Sequence, residues 1–278
     1  MRERAINFGS HDGLVGVVTL PEQRSAHRPA VLFSNVGLNH HVGCSRLWVE
    51  LGRRLGQLGF PSLRFDFSGF GDSAHRPGSF DDVERAILDT REAADCLVSR
   101  FGAGGIVIVA HCSGVDSQHG TALRDERVVG MVSIDGYTYP NRGFLWRHHA
   151  TRFFQIARWR RRLRQRRLAR LGDVTQVAGP GNGVWTRDWP SRERFAADLA
   201  TLTHRGVRML MVYTSAVRIN YQRQFHDTFG FHHQIEVARF PRADHLFSAR
   251  GDRAALIDTV ADWMDEAWRD RPTQPHGS

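Results

Sequence analysis

Apolar and polar positions alternate from about Ala5 to Leu20, interrupted by Gly9, Gly13 and Gly16, and this rhythm predicts a short hairpin. A polar connection, Gln23 to Arg28, leads into the first uninterrupted apolar run, Ala30-Val31-Leu32-Phe33-Ser34. Further short runs follow at Pro61–Asp66, Gly105–Val109, Val128–Ile134, Val207–Tyr213 and Ile235–Ala238. Runs this short, rich in β-branched residues and lacking alternation, read as strands buried on both faces. Between them the period lengthens to that of a helix. Leu47, Leu51, Leu55 and Leu58 form one stripe that Gly59 ends. A second helix is expected over Phe80–Phe101, capped near Ser79 with Asp81 and Asp82 in its first turn, where the helix dipole favours acids. Others are expected up to about Leu123, over Asn220–Phe229 and over Ala254–Trp268.

Strands and helices taking turns at this spacing predict an α/β chain, with a doubly wound, mostly parallel sheet. From Tyr137 the strand signals fade, while aromatics and arginines accumulate. Residues 137–199 are therefore expected to form a helical, arginine-rich cap inserted between two core segments, 1–136 and 200–270. Residues 271–278, with two prolines and a glycine, are expected to be a disordered tail.

The most informative stretch is Ala110-His111-Cys112-Ser113-Gly114, directly after the run Gly105–Val109. A sharp strand-to-helix turn packs its backbone against itself, so it needs small residues two before and two after its tip. Ala110 and Gly114 satisfy that with Cys112 at the tip; with Ser113 at the tip the flanks would be His111 and Val115. A thiol thus stands where such an elbow usually carries a serine hydroxyl. An inactivated serine site would leave the same trace. Cys44 and Cys96 are read as structural.

Composition narrows the setting. A chain of 278 residues, 41% hydrophobic, can bury one large core. No apolar run approaches the roughly 18 residues of a membrane span. Met1-Arg2-Glu3-Arg4 has no signal-like apolar region behind it, and three cysteines do not read as a disulfide framework, so a reduced, cytoplasmic setting is expected. The net charge of +9 comes from arginine alone, as the chain has no lysine; this points to a GC-rich bacterial genome. Eight of those arginines fall within Arg158–Arg170.

Four segments, in order, resemble the α/β-hydrolase family between about Ala30 and Trp268. Phe33-Ser34-Asn35-Val36-Gly37 is similar to the loop that usually reads His-Gly, and Asp66-Phe67-Ser68-Gly69-Phe70-Gly71-Asp72-Ser73 to the family's Asp-x-x-Gly-x-Gly-x-Ser loop. The elbow at Cys112 and the segment Phe240–Phe247, with its histidine loop, complete the set. Within the family, the Asn-x-Gly loop and the cysteine elbow resemble hydrolases encoded beside bacterial exopolysaccharide and exosortase systems.

The resemblance implies roles. Cys112 would be the nucleophile and His245, which follows the last strand, the base. The usual place for the acid, after the strand Val207–Tyr213, reads Thr214-Ser215-Ala216-Val217-Arg218-Ile219-Asn220 and holds no carboxylate. Asp135, at the end of the preceding strand, is the favoured acid. Asp244 is less suited, since chain neighbours rarely face each other well enough to orient an imidazole, and a Cys-His dyad with no acid stays open. Oxyanion donors would be the backbone N–H groups of Ser113 and of Val36 or a near neighbour, worth about 3 kcal/mol each. Asn35 would fix that loop, and Tyr137 and Trp146 would line an apolar acyl pocket, though the cap aromatics could equally be cap core. Asp66 and Asp72 are read as structural, holding the glycine-rich turn.

The paired histidines His40-His41, His148-His149 and His232-His233 lack the spacing of a metal site, so no metal or other cofactor is expected. The arginine run Arg158–Arg170 is either a solvated face or a docking surface for an anionic partner, such as an acyl carrier protein or a coenzyme A thioester; nucleic acid ranks low because no binding motif accompanies it. Three functions stay open at this point. They are an esterase or thioesterase, an acyltransferase passing the acyl group to an amine or alcohol, and a catalytically silent binding protein.

Overall fold

The computed structural model describes residues 1–23, 27–34, 39–136, 190–215 and 232–269. The expected cap helices, the arginine run, the helix over Asn220–Phe229 and the tail 271–278 lie outside these residues, as do Asn35, Val36, Tyr137 and Trp146. Eight strands form one sheet: β1 (Arg2–Phe8), β2 (Leu14–Leu20), β3 (Ala30–Phe33), β4 (Ser62–Phe65), β5 (Ile106–His111), β6 (Val128–Ile134), β7 (Arg208–Thr214) and β8 (Ile235–Phe240). Their order is β1-β2-β4-β3-β5-β6-β7-β8. The N-terminal hairpin adds antiparallel to one edge, and every pair from β4 to β8 is parallel.

Five helices are described: α1 (Leu47–Gln57), α2 (Asp82–Phe101), α3 (Gly114–Arg124), α4 (Arg192–His204) and α5 (Arg250–Ala267). Strand residues alternate between two cores, as a central sheet requires. Ile106 and Ile108 join the core that takes Ala93 and Leu97 from α2 and Phe195 and Leu199 from α4. Val107 and Val109 join the opposite core with Leu51 and Leu55 of α1 and Val260 and Met264 of α5. Burying each such leucine or valine contributes about 1.5–3 kcal/mol.

Boundaries moved where side chains, rather than periodicity, decide them. The cap of α2 is Asp81, which accepts the Glu84 N–H at 2.8 Å, two residues past the position read near Ser79. The helix α4 has no counterpart in the sequence pattern. It begins inside the stretch assigned to the cap, yet Phe195, Leu199 and Leu202 are buried in the core, and Asp198 meets His119 of α3 at 3.0 Å.

One helix side chain fastens two strands together. Gln118 of α3 donates to the carbonyls of Ile108 at 2.6 Å and Val132 at 3.0 Å, and accepts from Ser133 Oγ at 2.7 Å. It therefore ties β5 to β6, the strands whose ends carry Cys112 and Asp135.

Candidate active site

All the pieces of the site lie at the carboxyl ends of parallel strands, where open α/β sheets present their chemistry. Cys112 follows β5 at φ +55°, a left-handed conformation that a non-glycine residue adopts only when its surroundings enforce it. Two anchors enforce it. The Cys112 N–H donates to Ile134 O at 2.9 Å, and its carbonyl accepts the Val115 N–H at 3.3 Å as α3 begins. Ser113 enters the helix immediately afterwards. The tip of the elbow is therefore Cys112, as the flanking small residues require, and the half-buried thiol packs against the α1 and α5 side of the sheet.

Asp135 is the first residue past β6 and also left-handed, at φ +47°. Its own N–H donates to Val212 O at 2.9 Å, which locks it between β6 and β7. Its carboxylate is buried and accepts the Thr214 N–H at 2.7 Å and the Thr214 hydroxyl. The third donor is His245 Nδ1, at 2.8 Å. The strand end that lacks a carboxylate thus supplies the donors that hold one from its neighbour. This was the missed signal: a threonine at the usual acid position.

His245 sits in a loop that its neighbours shape. Asp244 turns away from it, accepting the Leu246 N–H at 2.8 Å and bonding Ser248, so Asp244 builds the loop and Asp135 meets the imidazole. Phe247, buried and at φ +48°, pins the loop from beneath, edge-on to Phe240 at 5.5 Å. With Nδ1 committed to Asp135, Nε2 remains for the hydrogen bond with Cys112. The Asp135 bond first, and the Cys112 bond second, push the pKa of His245 up from 6.5 to about 10, against an opposing contribution from burial. The arrangement favours the imidazolium form of His245.

His111, the last residue of β5, is a neighbour that sequence reasoning treated only as an elbow flank. Side chains alternate along a strand, so His111 shares the face of Val107 and Val109, opposite that of Ile106 and Ile108, and its ring lies 4.6 Å from that of His245. It is fully enclosed, and among the described residues neither ring nitrogen makes a hydrogen bond of ordinary geometry. Burial first, and the charge of His245 second, lower its pKa from 6.5 to about 4, so His111 stays neutral. Cys44 is half-buried; burial and the nearby Cys112 raise its thiol pKa. Cys96 is core.

The family model described as the alpha/beta hydrolase family matches residues 31–276. The chain belongs to the alpha/beta hydrolase family. Solved structures agree with that fold. An α/β serine hydrolase without lid from Xanthomonas campestris is 16% identical, covers 99% of this chain and 96% of its own, and superposes with a TM-score of 0.57. A dienelactone hydrolase from Anabaena variabilis is 14% identical with a TM-score of 0.59, over 96% of this chain and 98% of its own. An esterase domain from Rhodothermus marinus is 16% identical with a TM-score of 0.59, over 95% and 99%. At such identities the likeness carries the fold and nothing finer. No curated protein matches the chain in sequence. Among the described residues no helix is long and apolar enough to cross a membrane.

Two groups of side chains among the described residues bring potential metal-binding atoms within 4.8 Å of one another: His111, Asp135 and His245 in this family site, and His40, His41, Asp66 and Asp72 past the ends of β3 and β4. The carboxylates that meet His40 and His41 come from the end of β4 and the glycine-rich loop, apart from the pair in sequence.

Proposed function

We propose that this family member hydrolyses acyl esters or thioesters through a Cys112 acyl-enzyme, with His245 as acid and base and Asp135 orienting it. The observation that carries the reading is the hydrogen-bonded line from Asp135 through His245 to Cys112, with Cys112 at the tip of a left-handed turn. The Cys112 sulfur attacks the carbonyl carbon, and the leaving alkoxide or thiolate takes the proton from His245 Nε2. Water then attacks the thioester, giving its proton to His245, and the acid departs as the Cys112–His245 pair reforms. Asp135 keeps the imidazole in the tautomer that presents Nε2. In this reading Ser113 and Val36 supply oxyanion donors, Asn35 fixes their loop, and Tyr137 and Trp146 line the acyl pocket. The resemblance to hydrolases of exopolysaccharide and exosortase systems supports a biosynthetic setting.

The test is intact-protein mass spectrometry after brief exposure to acyl thioesters and p-nitrophenyl esters, beside Cys112→Ala. The expected result is an acyl mass gain confined to Cys112 and absent from the variant. Unchanged turnover in Cys112→Ala would sink the proposal. Product analysis with added amines and alcohols separates hydrolysis from acyl transfer, since a thioester intermediate is readily intercepted by an amine. The run Arg158–Arg170 is proposed to dock a carrier-bound or coenzyme A-bound acyl donor. Reversing several of its charges should then raise KM for carrier-bound substrate and leave small esters unaffected.

A further inference from the structure

Past the ends of β3 and β4, two loops converge on one buried carboxylate. Asp66, directly after β4, is fully enclosed. Its Oδ1 accepts the His41 N–H at 2.6 Å; its Oδ2 accepts His41 Nδ1 at 2.8 Å and the Asp72 N–H at 3.2 Å. His40 Nε2 lies between two carboxylates, 3.3 Å from Asp66 Oδ2 and 3.1 Å from Asp72 Oδ2. The two imidazole rings are 3.8 Å apart. The glycine-rich loop is shaped around this point: Gly71 is at φ +51°, and a Cβ there would stand 2.3 Å from Asp66 Oδ2.

The separations match those of a coordination shell. Four ligands at the roughly 2.0–2.2 Å bonds of tetrahedral zinc stand about 3.3–3.6 Å from one another. The gaps of 3.1 and 3.3 Å at His40 Nε2 need to open by only a few tenths of an ångström, the 2.8 Å between His41 Nδ1 and Asp66 Oδ2 by about 0.5–0.8 Å, and no donor atom of the four lies more than 4.8 Å from another. Two imidazoles and two carboxylates also suit a borderline divalent ion in charge and donor type. The outer pair is within reach of solvent, with the His40 side chain 42% exposed and that of Asp72 64% exposed, so an ion has a path in.

We propose that His40, His41, Asp66 and Asp72 form a site for a divalent transition-metal ion of the zinc class. Binding takes the ring nitrogens that now face the carboxylates, His41 Nδ1 and His40 Nε2, and leaves the imidazole proton on the other nitrogen of each ring. The ion would clamp the chain just past the Asn35–Gly37 loop to the glycine-rich loop, fixing the exit of the segment assigned to the oxyanion donors. It is a structural clamp, separate from the acyl chemistry.

The experiment uses the full chain, stripped with chelator and titrated with Zn²⁺ by calorimetry, then with Co²⁺ by absorption. It is run in a Cys112→Ala background, so that the thiol is no competitor. One equivalent should bind, with cobalt d–d bands and no thiolate charge-transfer band. That equivalent should be lost in His40→Ala and in Asp72→Asn, both solvent-reachable positions, each checked for folding by circular dichroism. No binding overturns the site. So does binding that survives both His40→Ala and Asp72→Asn, since it places the ion elsewhere in the chain. The readout is stoichiometry, so it stands or falls independently of any hydrolytic activity.

Discussion

Replacing Asp135 with asparagine keeps the shape of the buried side chain and removes its charge. The carboxylate takes three donors, the Thr214 N–H at 2.7 Å, the Thr214 hydroxyl and His245 Nδ1 at 2.8 Å. An amide has one acceptor oxygen, so at least one donor faces an N–H instead, at a cost of about 1–3 kcal/mol in stability. The greater effect falls on His245, whose pKa near 10 owes most to this bond. A carboxylate at hydrogen-bond range raises an imidazole pKa by about 1–3 units. The His245 side chain is 33% exposed, and solvent screening places the expected loss at the lower end, about 1–2 units. The imidazolium is then about 10- to 100-fold less favoured. The alkaline limb of turnover should move down by about 1–2 pH units, and kcat should fall on the order of 10²–10⁴ as the imidazole loses its tautomer. The assay is kcat against pH on a p-nitrophenyl ester, with iodoacetamide alkylation of Cys112 followed by peptide mass spectrometry across the same range. An Asp135→Asn protein that stays folded, with an unmoved pH profile and full kcat, would refute the orienting role.

The two touching imidazoles predict a stability maximum near pH 6.5. His245, raised to about 10, contributes stability that is complete below 6.5 and lost as pH rises toward 10; His111, lowered to about 4, contributes stability that is complete above 6.5 and lost as pH falls toward 4. Urea midpoints across pH should show both slopes, and His111→Phe should flatten the acid one, worth up to about 3 kcal/mol; an unchanged acid slope would exclude His111 as its source. At the elbow, Cys112→Gly should be about 1 kcal/mol more stable than Cys112→Ala, because glycine adopts φ +55° without strain. Equal midpoints for the two inactive variants would show that the turn stores none. Gly16→Ala should cost about 1–3 kcal/mol, since its Cβ would stand 2.8 Å from both the Arg64 carbonyl and Phe65 Cβ across the β2–β4 pair; thermal unfolding measures it.

The strands and most helices could be read from the chain because each is a local pattern. The runs at Ala30, Gly105 and Val128 have no polar interruption, and the stripe from Leu47 to Leu55 faces one core. Helix α4 escaped notice because its buried face is only Phe195, Leu199 and Leu202, a stripe too thin to stand out beside the arginines before it. The places of Cys112, at the tip of the turn, and of His245, after the last strand, were readable from turn chemistry and position. Asp135 was reached by elimination, and the reason for its place, the donors of Thr214, depends on how β6 and β7 align. His111 and the Asp66 cluster were out of reach for the same reason. Their partners are brought together by the sheet and by loops far apart in sequence.

The Gln118 bridge joins two parts of the proposed machinery into one unit. By holding Ile108 and Val132 with one amide, it makes the ends of β5 and β6 a single rigid mount, so the sulfur and the carboxylate keep their spacing whatever binds above them. His245 comes from a separate loop and meets that mount through Asp135. Any slackening at Gln118 would therefore misalign Cys112 and Asp135 at once.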